Sequence, residues 1–204
     1  IHYGLFMIKI QKLPIQPNHS LIVCLVAIMA TLAILFDNQL STSLIYQRDL
    51  ISNGEYWRVF TGHFFHTNAY HYALNMGALF MLWLLHGHFY SLKSYTLLFL
   101  FSSIICSIGL YYFDPTLIRY VGLSGVLHGI FVFGACMDIK AKDKTGYLLL
   151  LGLLVKVAHE QFYGASTDVI DLIDASVAIN AHLWGAVGGA IFSIVYLGVT
   201  SELI

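Results

Sequence analysis

The chain has 204 residues, 58% of them hydrophobic and 10% charged, with a formal net charge of −1. A soluble domain of this size carries about 25% charged residues, so the composition excludes an ordinary soluble protein and points to one all-α integral membrane domain over residues 1–204. With no basic stripe there is no case for a nucleic-acid partner, and Cys24, Cys106 and Cys136 lie in apolar stretches without metal-ligand spacing.

Charge-free intervals place five of the membrane spans, and an apolar run from Tyr147 to Phe162 that Lys156 and Glu160 interrupt places one more. Residues 1–19 read as an N-terminal segment without a small-residue cleavage site, so the first span is expected to act as an uncleaved anchor. A spanning helix needs about 20 apolar residues. Spans are predicted over Ser20–Phe36, Thr67–His86, Tyr95–Phe113, Gly122–Met137, Tyr147–Phe162 and Val177–Val199, giving a six-helix bundle whose fourth and fifth members are short. Residues 37–66 form the longest connection, of a length that tends to be functional or to carry short helices of its own. Lysine and arginine set orientation. Six spans put Lys9, Lys12, Lys93, Lys140, Lys142 and Lys144 on one side, expected to be cytoplasmic with both termini, and Arg48, Arg58 and Arg119 on the other.

This topology brings polar residues to one depth. His71 and Asn75 fall in the first turns of the second span, Ser124 opens the fourth, and His182 lies about two turns into the sixth. A hydroxyl and an imidazole are costly in lipid unless paired or used, and a serine with a histidine to take its proton is the smallest nucleophile–base unit. Gly122 and Gly125 beside Ser124 allow close backbone approach, and a helix N-terminus offers unpaired amides for an oxyanion. Gly185 and Gly189 share a helix face with His182 and let a second helix come near. His71 and Asn75, spaced i, i+4, can both donate to an oxyanion or glue helices together.

His128, one turn after Ser124, is a candidate to position His182, to bind substrate, or to act as base to Ser124 directly. Lys156 and Glu160, again i, i+4, read as a mutually neutralising pair that contacts substrate or serves structure. His63 and His66 read as interfacial. No HExxH is present and no acid joins the histidines at ligand spacing, so no metal and no cofactor is expected.

Gly54-Glu55-Tyr56-Trp57-Arg58 with Thr61, then His66, His71 and Asn75, then Gly122-Leu123-Ser124-Gly125, and finally Ala181-His182 with Gly185 and Gly189 come in that order over nearly the whole chain. In this the sequence resembles the rhomboid intramembrane serine proteases. Gly122 to Gly129, with His128 where the ordinary bacterial rhomboid has a tyrosine, and Lys156 with Glu160-Gln161 look more finely like the rhombosortase branch. The resemblance implies a six-helix core with a Ser124–His182 dyad and no third acid. It implies an oxyanion hole of His71, Asn75 and the Ser124 amide, and an outer loop braced through Trp57 and Arg58. It also implies a substrate: a membrane protein ending in a Gly-Gly motif, a transmembrane helix and a basic tail, cut on the periplasmic side of a bacterial inner membrane. A lipid-derived amine would be one acceptor for the acyl group. The alternatives are a general rhomboid protease acting on other single-span proteins, a non-proteolytic membrane scaffold, and a transporter using Lys156, His159 and Glu160.

Overall fold

The computed structural model describes residues 13–201. Six helices of 17 residues or more dominate it: α1 (Pro17–Leu35), α5 (Ala69–His86), α6 (Leu92–Phe113), α7 (Ser124–Lys140), α8 (Thr145–Tyr163) and α10 (Ile179–Ser201). They coincide with the six predicted spans, each end differing by at most three residues. By length and composition Pro17–Leu35, Leu92–Phe113 and Ile179–Thr200 suffice to cross a membrane. α5, α7 and α8 have 18, 17 and 19 residues and carry most of the polar residues singled out above. Most of the expected N-terminal segment, with Lys9 and Lys12, lies outside the described residues.

Local sequence explains where the helices begin. Pro17 occupies the first turn of α1, where its missing N–H costs nothing. The Asn68 side chain accepts from the His71 amide at 2.8 Å and caps α5. Ser91 and Ser94 cap α6 reciprocally, each side chain accepting from the other's amide at 3.0 Å. The outer surface is apolar: Leu21, Leu25, Ile28 and Leu32 form an exposed row on α1, as do Leu148, Leu151 and Val155 on α8. Exposed rows of this extent are unfavourable in water and favourable against lipid tails, as in a membrane protein.

α7 is the central helix. Val126, Ile130 and Phe133 are buried in the main core with Leu79, Leu82, Leu98 and Phe99 from α5 and α6. Its glycine face meets α10: a Cβ on Gly129 would lie 2.7 Å from the Gly185 carbonyl, and one on Gly189 would overlap the Gly129 backbone. Small residues at i, i+4 on both helices permit this contact.

The connections contain structure that helical periodicity does not reveal. The stretch 37–66 folds into α2 (Asp37–Leu44), α3 (Arg48–Ser52), α4 (Arg58–Thr61) and a 3₁₀ turn over Gly62–Phe64. One departure from an all-helical chain is an antiparallel ladder of β1 (Tyr46–Gln47) and β2 (Arg119–Tyr120), pairing Tyr46 with Tyr120 and Gln47 with Arg119. Arg48 fastens this loop to α6 by donating to the carbonyls of Leu110, Tyr111, Asp114 and Leu117, where a cation also complements the helix C-terminus. Between α8 and α10, α9 (Thr167–Ile173) lies against the start of α5, held by Asn68 Nδ2 donating to the Leu172 carbonyl at 3.0 Å.

Candidate active site

Ser124 is the first helical residue of α7, so its amide is among those the helix itself cannot pair. The turn before it depends on Gly122, whose φ of +130° is open to glycine and strained for other residues. The Tyr120 hydroxyl donates to the Gly122 carbonyl at 2.6 Å and fixes that turn from below. A Cβ on Gly122 would come within 3.0 Å of the His71 ring, so this glycine also admits His71 to the site. Gly125 allows close approach of neighbouring helices. Its α-carbon faces the Cys106 sulfur and the Ala181 carbonyl, 2.7 and 2.8 Å from where a Cβ would stand.

Because α10 begins at Ile179, His182 sits in its first turn rather than two turns in. The ring is buried, with Nε2 at 3.0 Å from Ser124 Oγ. His182 Nδ1 lies 2.8 Å from Glu160 Oε2 and 3.0 Å from Lys156 Nζ. A carboxylate on the second imidazole nitrogen departs from the acid-free dyad that the resemblance implies.

His128 stacks on His182 with ring centroids 4.2 Å apart and planes 11° from parallel. Its Nδ1 lies 2.7 Å from the Ser124 carbonyl oxygen and its Nε2 2.7 Å from Lys156 Nζ. Both nitrogens are thereby engaged away from the Ser124 hydroxyl, so the reading of His128 as a direct base is overturned. Lys156 and Glu160 form the expected pair at 2.9 Å, but they face the two histidines. His128, Glu160 and His182 bring their ligand atoms within 4.8 Å of one another, a spacing that could hold a metal ion and that sequence spacing did not reveal. The cation among them here is the Lys156 ammonium, at 2.7, 2.9 and 3.0 Å from the three.

His71 reaches the site from α5. The Thr67 amide donates to its Nδ1 at 3.4 Å, and the Thr67 hydroxyl lies 3.1 Å from that nitrogen and 2.8 Å from the Ile173 carbonyl. Asn75 is one turn deeper and buried, with Nδ2 donating to the His71 carbonyl at 3.1 Å. A cavity of about 280 Å³ adjoins Ser124, with Thr67, His71, Arg119, Ile173 and Val177 among its walls; Asn75 is not in its lining.

His63 and His66 are buried rather than interfacial. His63 Nε2 lies 3.0 Å from Ser107 Oγ, and the His66 ring packs edge-on against His71. Trp57 and Arg58 brace the outer loop itself. Trp57 Nε1 donates to the Ser43 carbonyl at 3.0 Å. Arg58 donates to Glu55, Ile45 and Thr42 at 2.7, 2.8 and 2.9 Å. Ile45 from this loop lines the cavity, so the brace acts on the site at one remove. The sequence reading missed Tyr120 and Thr67. Thr67 could have been found from its i, i+4 relation to His71; Tyr120 carries no comparable signal.

Residues 53–199 match the family model described as "Rhomboid domain". The chain is 25% identical over 146 residues to the Bacillus subtilis (strain 168) protein described as "Putative rhomboid protease YdcA", a match covering 70% of this chain and 68% of that one.

Proposed function

The chain belongs to the rhomboid family, and from that premise we propose that it is an intramembrane serine protease with Ser124 as nucleophile and His182 as general base. The observation that carries this reading is the 3.0 Å approach of His182 Nε2 to Ser124 Oγ beside a cavity that His71 also lines. That separation is within the range a general base requires.

In the proposed reaction Ser124 Oγ attacks the scissile carbonyl carbon while its proton passes to His182 Nε2. The carbonyl electron pair moves to oxygen, and the Ser124 amide and His71 receive the developing charge. With Nδ1 accepting from the Thr67 amide, His71 carries its proton on Nε2, the nitrogen beside Gly122. Asn75 supports His71 through its carbonyl and offers a second amide hydrogen. A single oxyanion donor contributes on the order of 10²–10³ in rate. Collapse breaks the C–N bond, the Nε2 proton goes to the leaving nitrogen, and an acyl-enzyme remains on Ser124. Water then completes hydrolysis; an amine in its place forms a new amide.

The finer reading is removal of a C-terminal anchor made of a Gly-Gly motif, a transmembrane helix and a basic tail. It is supported by the likeness of Gly122–Gly129, Lys156 and Glu160-Gln161 to the rhombosortase branch. A Gly-Gly bond also unwinds easily and presents no side chain to a small cavity. Lys93, Lys140, Lys142 and Lys144 lie at helix ends opposite to the start of α7, which supports an orientation with those ends cytoplasmic and the site near the outer face; a bacterial inner membrane rests on the likeness to the rhombosortase branch.

The test is co-expression with a reporter carrying that anchor, reading the new C-terminus by intact-mass spectrometry for wild type and Ser124→Ala. A Ser124-dependent free carboxylate identifies a hydrolase, and a Ser124-dependent added amine mass a transferase. Equal processing by Ser124→Ala sinks the protease reading. No processing by either chain removes the Gly-Gly anchor as substrate.

A further inference from the structure

The second nitrogen of His182 has two charged neighbours, and they make opposite demands on it. A neutral imidazole carries its proton on one nitrogen, and the partner of the other selects which. A carboxylate can only accept, and an ammonium can only donate. If Glu160 is the partner, the proton sits on Nδ1, and Nε2 presents a lone pair to the Ser124 hydroxyl. If Lys156 donates to Nδ1, the proton sits on Nε2 and points at Ser124 Oγ, where it blocks base catalysis.

The surrounding groups fit the first arrangement. His128 Nδ1 lies 2.7 Å from the Ser124 carbonyl oxygen, which can only accept, so His128 carries its proton there. Its Nε2 is then an acceptor, 2.7 Å from Lys156 Nζ. Glu160 Oε2 is a second acceptor for the same ammonium at 2.9 Å. Lys156 thus has two acceptors other than His182, both closer to it than Nδ1. Glu160 has His182 Nδ1 at 2.8 Å, and all four ring nitrogens then have a partner of the matching kind. α8 delivers Lys156 and Glu160 from the same face one turn apart. Glu160 is 9% exposed, so water is a poor substitute for it.

We infer that Glu160 is a positioning acid for His182, making Ser124–His182–Glu160 the working unit, and that Lys156 and His128 hold its carboxylate and the ring in register. The inference rests on the reading of Ser124 and His182 as nucleophile and base. When the Ser124 proton reaches Nε2, an imidazolium forms 3.0 Å from the Lys156 ammonium. The Glu160 carboxylate touches both cations and offsets their repulsion. Glu160 donates no proton and takes none; the Nδ1–H bond persists throughout. Without the carboxylate, His182 would lose its orienting acceptor and meet an uncompensated ammonium at the moment it becomes charged.

The test uses the full chain in detergent micelles and a fluorophosphonate probe, which reports serine reactivity without a known substrate. Labelling rate and half-saturating probe concentration are measured for wild type, Ser124→Ala, Glu160→Gln, Glu160→Asp and Lys156→Met. Glu160→Gln is expected to slow the maximal labelling rate on the order of a hundredfold or more, as loss of the orienting acid does in other serine triads. The half-saturating concentration should change less than about threefold, since this group acts on the base rather than on probe binding. Glu160→Asp should recover at least about tenfold of that loss, and Lys156→Met should cost less than Glu160→Gln. Independently of any variant, the ¹⁵N shifts of His182 in wild-type protein should show the proton on Nδ1 with a downfield ¹H resonance. A labelling rate for folded Glu160→Gln within threefold of wild type, or a wild-type His182 protonated on Nε2, overturns the role of Glu160 and leaves the protease reading standing. Equal labelling of Ser124→Ala and wild type overturns the protease reading itself.

Discussion

Gly125 and Gly185 meet backbone to backbone where α7 crosses α10: a Cβ on Gly185 would overlap the Gly125 carbonyl group. Gly125 follows Ser124, and Gly185 comes one turn after His182, so this crossing sets how near the hydroxyl and the imidazole can come. Gly185→Ala forces the helices apart or distorts one of them. Overpacking of this kind costs about 1–3 kcal/mol, and backbone offers less relief than a side chain. The expected outcome is a lower unfolding temperature in detergent together with serine-probe labelling reduced at least about tenfold, because a near-ångström misplacement at a reacting pair is costly. Gly152→Ala within α8, where a Cβ would meet nothing within 4 Å among the described residues, is the control.

Five of the six long helices were legible because a charge-free interval is a strong signal in a chain with so few charges, and Asp37, Arg58, Lys93, Asp114, Arg119, Asp138 and Asp174 fall at or near helix ends; α8 was legible as an apolar run that only Lys156 and Glu160 interrupt. α9 was not legible, since seven residues with two aspartates read as polar loop. The Tyr46–Tyr120 ladder joins two-residue strands far apart in sequence, beyond the reach of any local period. At the site, the i, i+4 spacing of Lys156 and Glu160 showed a pair but not its target. His182 is on another helix, and only the packing of α8 against α7 and α10 turns the pair toward it. The close approach at Gly125 was legible but its partner was not: its smallness serves a neighbouring helix that the sequence does not identify.

Arg58 is buried at the centre of the outer loop, where its guanidinium donates to a carboxylate and two backbone carbonyls. An ammonium cannot reproduce a planar fork spread over three acceptors. Arg58→Lys is expected to destabilise by about 1–3 kcal/mol, the cost of leaving buried acceptors unsatisfied. Limited proteolysis should then cut first within residues 37–61. Cleavage elsewhere, with the loop still protected, would contradict the bracing role.

His63, in the short 3₁₀ turn of the outer loop, is pushed down by burial from 6.5 to about 4. His66 is pushed down to about 3, by burial first and by His71 second. Both are therefore neutral in the folded chain near neutral pH. As pH falls below 6.5, the unfolded chain takes up protons that the folded chain refuses, so stability is present above about 6.5 and is lost from there down to about 4 for His63 and about 3 for His66. Unfolding temperature in detergent should drop over that window. His63→Gln should flatten part of the drop while lowering the plateau, because the bond toward Ser107 is altered.

At the far end of α7, His86 Nε2 and Asp138 Oδ2 form a buried pair at 3.0 Å, with the His86 ring packed against Gly134. Asp138 is fourteen residues along the helix from Ser124, about 21 Å at 1.5 Å per residue. Removing one member of a buried hydrogen-bonded pair costs about 1–3 kcal/mol, because the partner is left desolvated and unsatisfied. Asp138→Ala should therefore lower the unfolding temperature substantially. Asp138→Asn, which keeps an acceptor oxygen of nearly the same shape, should lower it less. The fraction of either variant that remains folded should label at Ser124 at nearly the wild-type rate, since α7 transmits no rearrangement to its first turn while its packing on α10 holds. A labelling rate that fell in proportion to stability even for the folded fraction would mean that the two ends of α7 are mechanically coupled, and that the Asp138 pair belongs to the working of the site.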